Sequence, residues 1–367
     1  MDLYLLALAS LHVFTPTTAD ELISRIGSLE AFFTMPRREL AAILGANPRF
    51  IDDAVREKAL ATARNELEYI ERSGIEYIPY TSDAYPQRLL ACDDAPVMLF
   101  KYGAALLDFP ASISIVGTRH ATAYGIDFVN NCCSEWASQL IVPPVIVSGL
   151  AFGIDISAHR GALSTGLPTV AVVAHGLNTI YPAVHRQTAA DIVAKGGAIV
   201  TEYLSSDAVH KGNFLARNRI VAGLTDGVLV VESAERGGAL VTARLAADYS
   251  REVMALPGRS TDRYSRGCNN LVARSAAHLV TSGADIADLL GWKRRSETEK
   301  EAPSLFPTLT DEEEQIVNLL TLSGDASLNT ILTRVNLPSY RLLSILLDLE
   351  FRGIIVQMPG GAYRAKS

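Results

Sequence analysis

Lys211-Gly212-Asn213-Phe214-Leu215-Ala216-Arg217-Asn218-Arg219 opens a stretch that continues through Gly227-Val228-Leu229-Val230-Val231-Glu232 to Arg236-Gly237-Gly238-Ala239-Leu240-Val241-Thr242-Ala243-Arg244. The middle run is apolar without alternation, the pattern of a strand covered on both faces. The last run is a glycine turn entering a helix. A buried strand followed at once by a turn and a helix is the unit of a parallel sheet. The first nine residues hold three cations, an aromatic ring and amide side chains, with no acid among them. Lysine and arginine neutralise phosphates and Phe214 can stack a base, so the segment suits an anionic, single-stranded polymer. The competing reading is a solvated helix start.

The same texture surrounds this stretch on both sides. Ile113-Ser114-Ile115-Val116 is a strand, followed by Gly117-Thr118-Arg119 and a helix from about Thr122. Val145-Ile146-Val147 is another, followed by Ser148-Gly149-Leu150-Ala151-Phe152-Gly153-Ile154-Asp155 and a helix with His159 and Arg160. Thr169–Val173, Ala198–Thr201 and Glu252–Leu256 supply further apolar runs. Residues 113–291 are therefore expected to form an α/β unit, a Rossmann-like doubly wound parallel sheet. Ligands of such sheets bind outside the carboxyl ends of the strands. Gly117-Thr118-Arg119, Ser148-Gly149, Glu202 and Glu232 stand at those ends. Glycine there opens backbone N–H groups to phosphate, and Arg119, Lys211, Arg217 and Arg219 add charge. Each glycine turn alone is what any such sheet requires.

Residues 1–75 read as a small helical domain of the SAM-like or helix-hairpin-helix-like kind, with Ala54–Ile70 its longest amphipathic stretch. Residues 76–112 read as a connector with short strands. Residues 292–307 are charged and proline-containing, a linker. Residues 308–367 read as three helices and a hairpin, a winged helix. Its third helix carries only Arg341 and Arg352 as cations, against Asp348 and Glu350, which favours protein contact over base reading.

A net charge of −7 confines any nucleic-acid site to a local basic patch. Cys92, Cys132, Cys133 and Cys268 lack metal spacing and read as buried thiols of a reducing cytoplasm. The apolar start lacks the basic region of a signal peptide, and no run of about 20 apolar residues occurs, so no membrane association is expected. Gly117-Thr118-Arg119-His120 is not a dinucleotide fingerprint and no P-loop is present, so neither NAD nor ATP is expected as cofactor. No metal is expected either. His159, His175 and Asp155 read as structural, Asp155 as a helix cap.

The residues resemble a family. Ile115-Val116-Gly117-Thr118-Arg119 with Tyr124-Gly125, Val147–Asp155 with Ala158–Leu163, and Gly212-Asn213-Phe214 with Arg217-Asn218-Arg219-Ile220 resemble the DNA-processing protein A family, also called DprA or Smf. Val231-Glu232 with Gly237–Ala243, Pro257-Gly258 and Ser265–Asn269 continue the resemblance, which runs from about Ile113 to Gly291. It implies a non-enzymatic protein that binds single-stranded DNA, protects it during natural transformation and loads RecA recombinase, usually as a homodimer. The contacts it implies are Arg119 with the backbone of Gly117 and Thr118, Ser148 and Gly149, Lys211, Asn213, Phe214, Arg217, Asn218 and Arg219, with Arg266 a weaker candidate. Ala216 stands where the family often has a second arginine, and the Gly-Pro turn of a helix-hairpin-helix is absent near Phe14–Thr17.

The rival is a nucleotide enzyme of the lysine-decarboxylase-like phosphoribohydrolase group. There the glycine turn leads to a threonine and, three residues later, a catalytic glutamate. Here Thr242 is followed by Ala243-Arg244-Leu245-Ala246-Ala247, and the first acid is Asp248. Glu202 and Glu232 remain possible acids, but capping or pairing with an arginine of the groove is the preferred reading. A repressor built on the winged helix is disfavoured by its shortage of base-reading cations.

Overall fold

The structure, a computed structural model, describes residues 2–295, 309–335, 337–358 and 361–365. The linker from 296 onward and Pro359-Gly360 of the hairpin turn lie outside the described residues. The chain divides into two compact units, Met1–Thr298 and Glu299–Ser367.

The first unit begins with α1 (Asp2–Ala9), α2 (Pro16–Ile26), α3 (Leu29–Thr34), α4 (Arg37–Leu44) and α5 (Asp53–Ser73). Then come β1 (Glu76–Pro79), α6 (Gln87–Leu90), β2 (Met98–Gly103), β3 (Ser112–Val116), α7 (Ala123–Gln139), β4 (Val145–Ser148), α8 (Ile154–Thr165) and β5 (Thr169–Val172). After these follow α9 (Arg186–Ala194), β6 (Ala198–Thr201), α10 (Lys211–Gly223), β7 (Gly227–Val230), α11 (Gly238–Asp248), β8 (Glu252–Ala255), α12 (Arg266–Ala273), β9 (His278–Leu279) and α13 (Gly283–Leu289). Among the described residues, nine strands form one sheet in the order β1-β2-β6-β5-β4-β3-β7-β8-β9. β3 to β9 pair in parallel, and β2 adds to β6 antiparallel, with Phe100 opposite Thr201. The doubly wound sheet is thus as expected. The segment read as a connector extends it by two strands.

Helices cover both faces of the sheet, which is why its strands are apolar at nearly every position. Val116, Val147, Val170 and Val228 pack on one side with the core of α1 to α5, including Leu8, Phe32, Leu40 and Ile70. Ile113, Ile115, Ile146 and Leu229 pack on the other with Trp136 of α7 and Ile154 of α8. The first 75 residues therefore share a core with the sheet and do not stand apart from it. Polar ties reinforce that face: the Glu66 carboxylate accepts from the Ser205 N–H at 2.9 Å and from its hydroxyl at 2.5 Å.

β3 to β6 wind outward one way, then the chain returns to lay β7 and β8 on the other side of β3. The order reverses between β3 and β7, so their carboxyl ends diverge into a crevice, where such sheets bind ligands.

The second unit comprises α14 (Asp311–Ser323), β10 (Ala326–Ser327), α15 (Leu328–Arg334), α16 (Ser339–Phe351), β11 (Ile355–Met358) and β12 (Ala362–Ala365). Its described strands form an antiparallel sheet in the order β10-β12-β11. Ile316, Ile331, Leu342, Leu346 and Tyr363 make its core. This is the expected winged helix. Thr310 and Glu313 cap α14 reciprocally, which fixes where the unit begins.

Candidate nucleic-acid interface

The crevice is a cleft of about 320 Å³ outside β3 and β7, lined by Gly117, Thr118 and Arg119 on one side and by Ser233, Arg236, Gly237 and Gly238 on the other. Phe214, Leu215, Arg217 and Asn218 of α10 close it, and Asp155 lies within its lining.

The turn after β3 is stitched on both sides. The Thr118 N–H donates to the Glu232 carbonyl at 2.7 Å, and the Ile154 N–H donates to the Thr118 carbonyl at 3.1 Å. Gly153 has φ +77°, and a Cβ there would collide with the backbone of Thr118 and Arg119, so only glycine allows α8 to begin so close. With its main chain held in this way, Arg119 projects exposed from the turn. Its guanidinium lies 5.6 Å above the ring of Phe214. Phe214, half-buried, meets the half-exposed Tyr181 edge-on at 5.8 Å. Arg119, Phe214 and Tyr181 together present a ring face backed by charge.

The start of α10 is shaped by local hydrogen bonds. The ring nitrogen of His210 accepts from the Gly212 N–H at 3.0 Å, and the Asn213 amide donates to the Ala208 carbonyl at 3.2 Å. Lys211 is exposed at this end of the helix. Asn213 thus serves the loop before the helix through its amide N–H. Asn218 is half-buried in the cleft lining.

Several residues read from the sequence as contacts turn out to be the support beneath the cleft. Arg217 is 4% exposed. It lies at the carboxyl ends of β4 and β5 and donates to the carbonyls of Gly149, at 2.7 Å, and Val172. Gly149 is buried too, and a Cβ on it would strike that guanidinium. Ser148 is fully buried, its hydroxyl donating to the Ile115 carbonyl at 2.6 Å. Arg219 pairs with Glu202 at 2.5 Å. Ser148, Gly149 and Arg217 are corrected from contacts to scaffold, because all three are buried, with the Ser148 hydroxyl and one Arg217 guanidinium nitrogen committed to backbone carbonyls. Arg266 is exposed on α12 and does not line this cleft.

Asp155 sits in the first turn of α8, buried beside Arg217. Burial pushes its carboxyl up, opposed by Arg217 and by the backbone N–H groups of Ala151 and Gly149. Glu232 caps α7: its carboxylate accepts from the Thr122 N–H at 2.9 Å and from the Thr122 hydroxyl at 2.6 Å. Asp248 ends α11, about 15 Å along the helix from the glycine turn. Glu202 and Glu232 therefore have the structural partners that the sequence suggested. His175 likewise bonds the backbone of Gly176 and Tyr181.

His159 is fully buried, 2.7 Å from the Thr169 hydroxyl. Burial holds its imidazole down at about 3. Unfolded histidine titrates near 6.5, so below that pH the unfolded chain binds a proton that the native state refuses. Stability from this group is complete above about pH 6.5 and declines as pH falls toward 3, by about 1.4 kcal/mol per pH unit. Thermal melts at pH 7.5 and pH 5 should show a larger loss for the wild type than for His159→Gln.

Arg236 in the cleft lining and Tyr181 beside Phe214 are not among the contacts read from the sequence. Arg236, exposed in the turn after β7, faces Arg119 across the crevice lining. Tyr181 arrives from the loop before α9. The strand-end rule identifies Arg236. Nothing in the sequence brings Tyr181 to Phe214.

Residues 76–291 match the family model of DNA recombination-mediator protein A, and 299–361 that of the DprA winged helix domain. The chain belongs to the DNA recombination-mediator protein A family. It is 35% identical to protein Smf of Escherichia coli K12 over 84% of each chain. It shares 30% identity and a TM-score of 0.65 with the crystal structure of DNA processing protein A from Streptococcus pneumoniae, over 80% of this chain and 99% of that one. A Helicobacter pylori DNA processing protein A, whose structure concerns a single-stranded DNA binding mode, is 31% identical with a TM-score of 0.52, over 59% of this chain and 95% of that one. Among the described residues no helix is long and apolar enough to cross a membrane, and no cluster of metal-ligating side chains occurs.

Proposed function

We propose that this DprA-family protein binds single-stranded DNA in the crevice between β3 and β7 and serves DNA processing in transformation. The observation that carries the reading is the exposed Arg119 guanidinium over the Phe214 ring, with Lys211 at the head of the same helix. A cation stacked on a ring offers one face to a base and a charge to the adjoining phosphate. Arg119, Lys211, Arg236 and Phe214 are the contact residues, Asn213 and Asn218 assist, and the backbone of Gly117 and Thr118 completes the wall. The protein acts by binding and not by catalysis, for Glu202 and Glu232 are held by partners and Asp248 is remote from the turn. Protection of incoming strands, loading of RecA recombinase, a homodimer and a cytoplasmic location are part of the same proposal, and family membership supports them.

The winged helix fits a protein-contact role. On α16, Arg341 pairs with Glu312 at 3.0 Å, and Arg352, just past its last residue, pairs with Glu313 and Asp348 at 2.8 Å each. Tyr340, Leu347 and Phe351 are exposed on the same helix, so its surface offers apolar groups in place of base-reading cations.

Fluorescence anisotropy of labelled oligo-dT tests the central claim. Binding should be tighter than to duplex of equal length and should weaken as salt rises. Equal affinity for both would rule out stacking on Phe214. Absence of binding by folded protein would turn attention to nucleotide monophosphates and the enzyme reading.

A further inference from the structure

Beyond Arg119, the same turn reaches a second aromatic and cationic cluster on the loop between β8 and α12. This loop is held at its base. The Asn269 side-chain amide takes both the N–H of Gly258, at 3.1 Å, and its carbonyl, at 2.9 Å. The Tyr124 hydroxyl donates to the Pro257 carbonyl at 2.8 Å, and the Ser233 N–H donates to the Tyr264 carbonyl at 2.6 Å. Between these anchors Arg259 and Arg263 stand exposed. Among the described residues neither has a carboxylate within ion-pair distance. The Arg263 guanidinium lies 5.7 Å over the Tyr264 ring, and the His120 ring stacks on Tyr264 at 5.9 Å and 25°. A cleft of about 860 Å³ opens beside them, with Tyr124 half-exposed in its wall.

His120 directly follows Arg119 in the chain. One turn therefore offers a cation to Phe214 on one side and an imidazole to Tyr264 on the other. Bond lengths and these ring contacts place the two aromatic groups within roughly 25 Å of each other. At about 3.4 Å per nucleotide in a stacked strand, that is roughly seven nucleotides or fewer.

We propose that the Arg259–Tyr264 loop is a second base-stacking platform, which takes a neighbouring stretch of the same single strand that Phe214 and Arg119 hold. The proposal rests on the cleft function above and extends it. The bases stack against Tyr264 and His120, while the phosphates pass Arg259, Arg263 and the exposed Arg266 at the start of α12. Anchoring the loop at its base lowers the ordering cost of binding. It also accounts for an exposed pair of arginines on a loop that packs no core.

The test compares dT5, which one platform can hold, with dT25, which spans both, by anisotropy at low salt. In Arg259→Glu/Arg263→Glu and in Tyr264→Ala, dT25 should bind at least tenfold more weakly, while dT5 shifts less than twofold. Phe214→Ala should weaken both oligonucleotides. The salt slope for dT25 should fall by about 1.4 in the arginine double variant, since each lost phosphate contact removes about 0.7. Unchanged dT25 affinity in both variants overturns the proposal, and so does an equal loss for dT5 and dT25, which would place the loop's effect in the first cleft. If Tyr264→Ala melts early, the surface arginine variant decides alone. Wild-type protein that bound neither oligonucleotide would overturn the cleft reading itself, and this proposal with it.

Discussion

Arg217→Ala is expected to destabilise the protein by about 3–5 kcal/mol, since a charge-assisted hydrogen bond contributes about 1.5–3 kcal/mol and Arg217 makes two to buried carbonyls. The side chain is buried, satisfies two backbone carbonyls and faces the buried Asp155. Removing it leaves the Gly149 and Val172 carbonyls short of a donor and takes from the buried Asp155 carboxylate the stronger of the two positive charges that favour it, the other being Arg119. Denaturant unfolding followed by circular dichroism measures the loss. The double variant Arg217→Ala/Asp155→Asn should recover part of it, because no orphaned charge then remains. The alternative from sequence, a phosphate contact, makes the opposite forecast: a folded variant of ordinary stability with weakened DNA binding. A stable Arg217→Ala protein would show that the guanidinium is not the support described here.

The contrast between Arg217 and Arg119 shows what the sequence could and could not convey. Both are arginines in the motifs that carry the family resemblance, and in the sequence both read as contacts. Strand positions were legible because burial on both faces leaves continuous apolar runs, and the ends of β3 and β7 followed directly. Helix termini were legible for similar reasons. Thr310 with Glu313 marks the start of α14, and Gly74, at φ +66°, marks the end of α5. Which side of α10 faces inward was not legible. Its cations and apolar residues do not segregate by spacing alone, and only packing against β5 turns Arg217 to the strand ends and leaves Lys211 outside.

Long-range pairing was the other gap. Met98-Leu99-Phe100 reads as a short strand, but its partner β6 lies about a hundred residues away, and no local pattern names it. The helical start of the chain is similar. Ile23, Ile26 and Leu29 are evenly spaced in the sequence, but Gly27 at φ +98° ends α2 and Ser28 caps α3, so the three fall on two helices. Those helices also owe their place to the sheet face they cover, through Glu66 and the shared core, which is a tertiary fact. The cluster of Tyr181 with Phe214 and that of His120 with Tyr264 belong to the same class: each joins segments distant in the chain.

Phe214→Ala is expected to cost about 1–3 kcal/mol of single-stranded DNA affinity, the range for one stacked base. The fold should survive, because Phe214 is half-buried and its ring rests on the exposed Tyr181 and Arg119, outside the core clusters. Arg119→Ala should cost about 1–2 kcal/mol through the lost charge-assisted contact. The two losses should not add. The guanidinium over the ring holds it face-out, a cation–π contact of about 0.5–1 kcal/mol at an exposed site, so removing Arg119 already forfeits part of what Phe214 provides. A double-mutant cycle on oligo-dT should therefore give a coupling of about 0.5–1 kcal/mol. Lys211→Ala has no such partner and should be additive with Phe214→Ala while lowering the salt slope by about 0.7. Coupling at Lys211 and none at Arg119 would mean that the strand is gripped along the helix head and not over the ring, which would move the path of the bases away from the crevice.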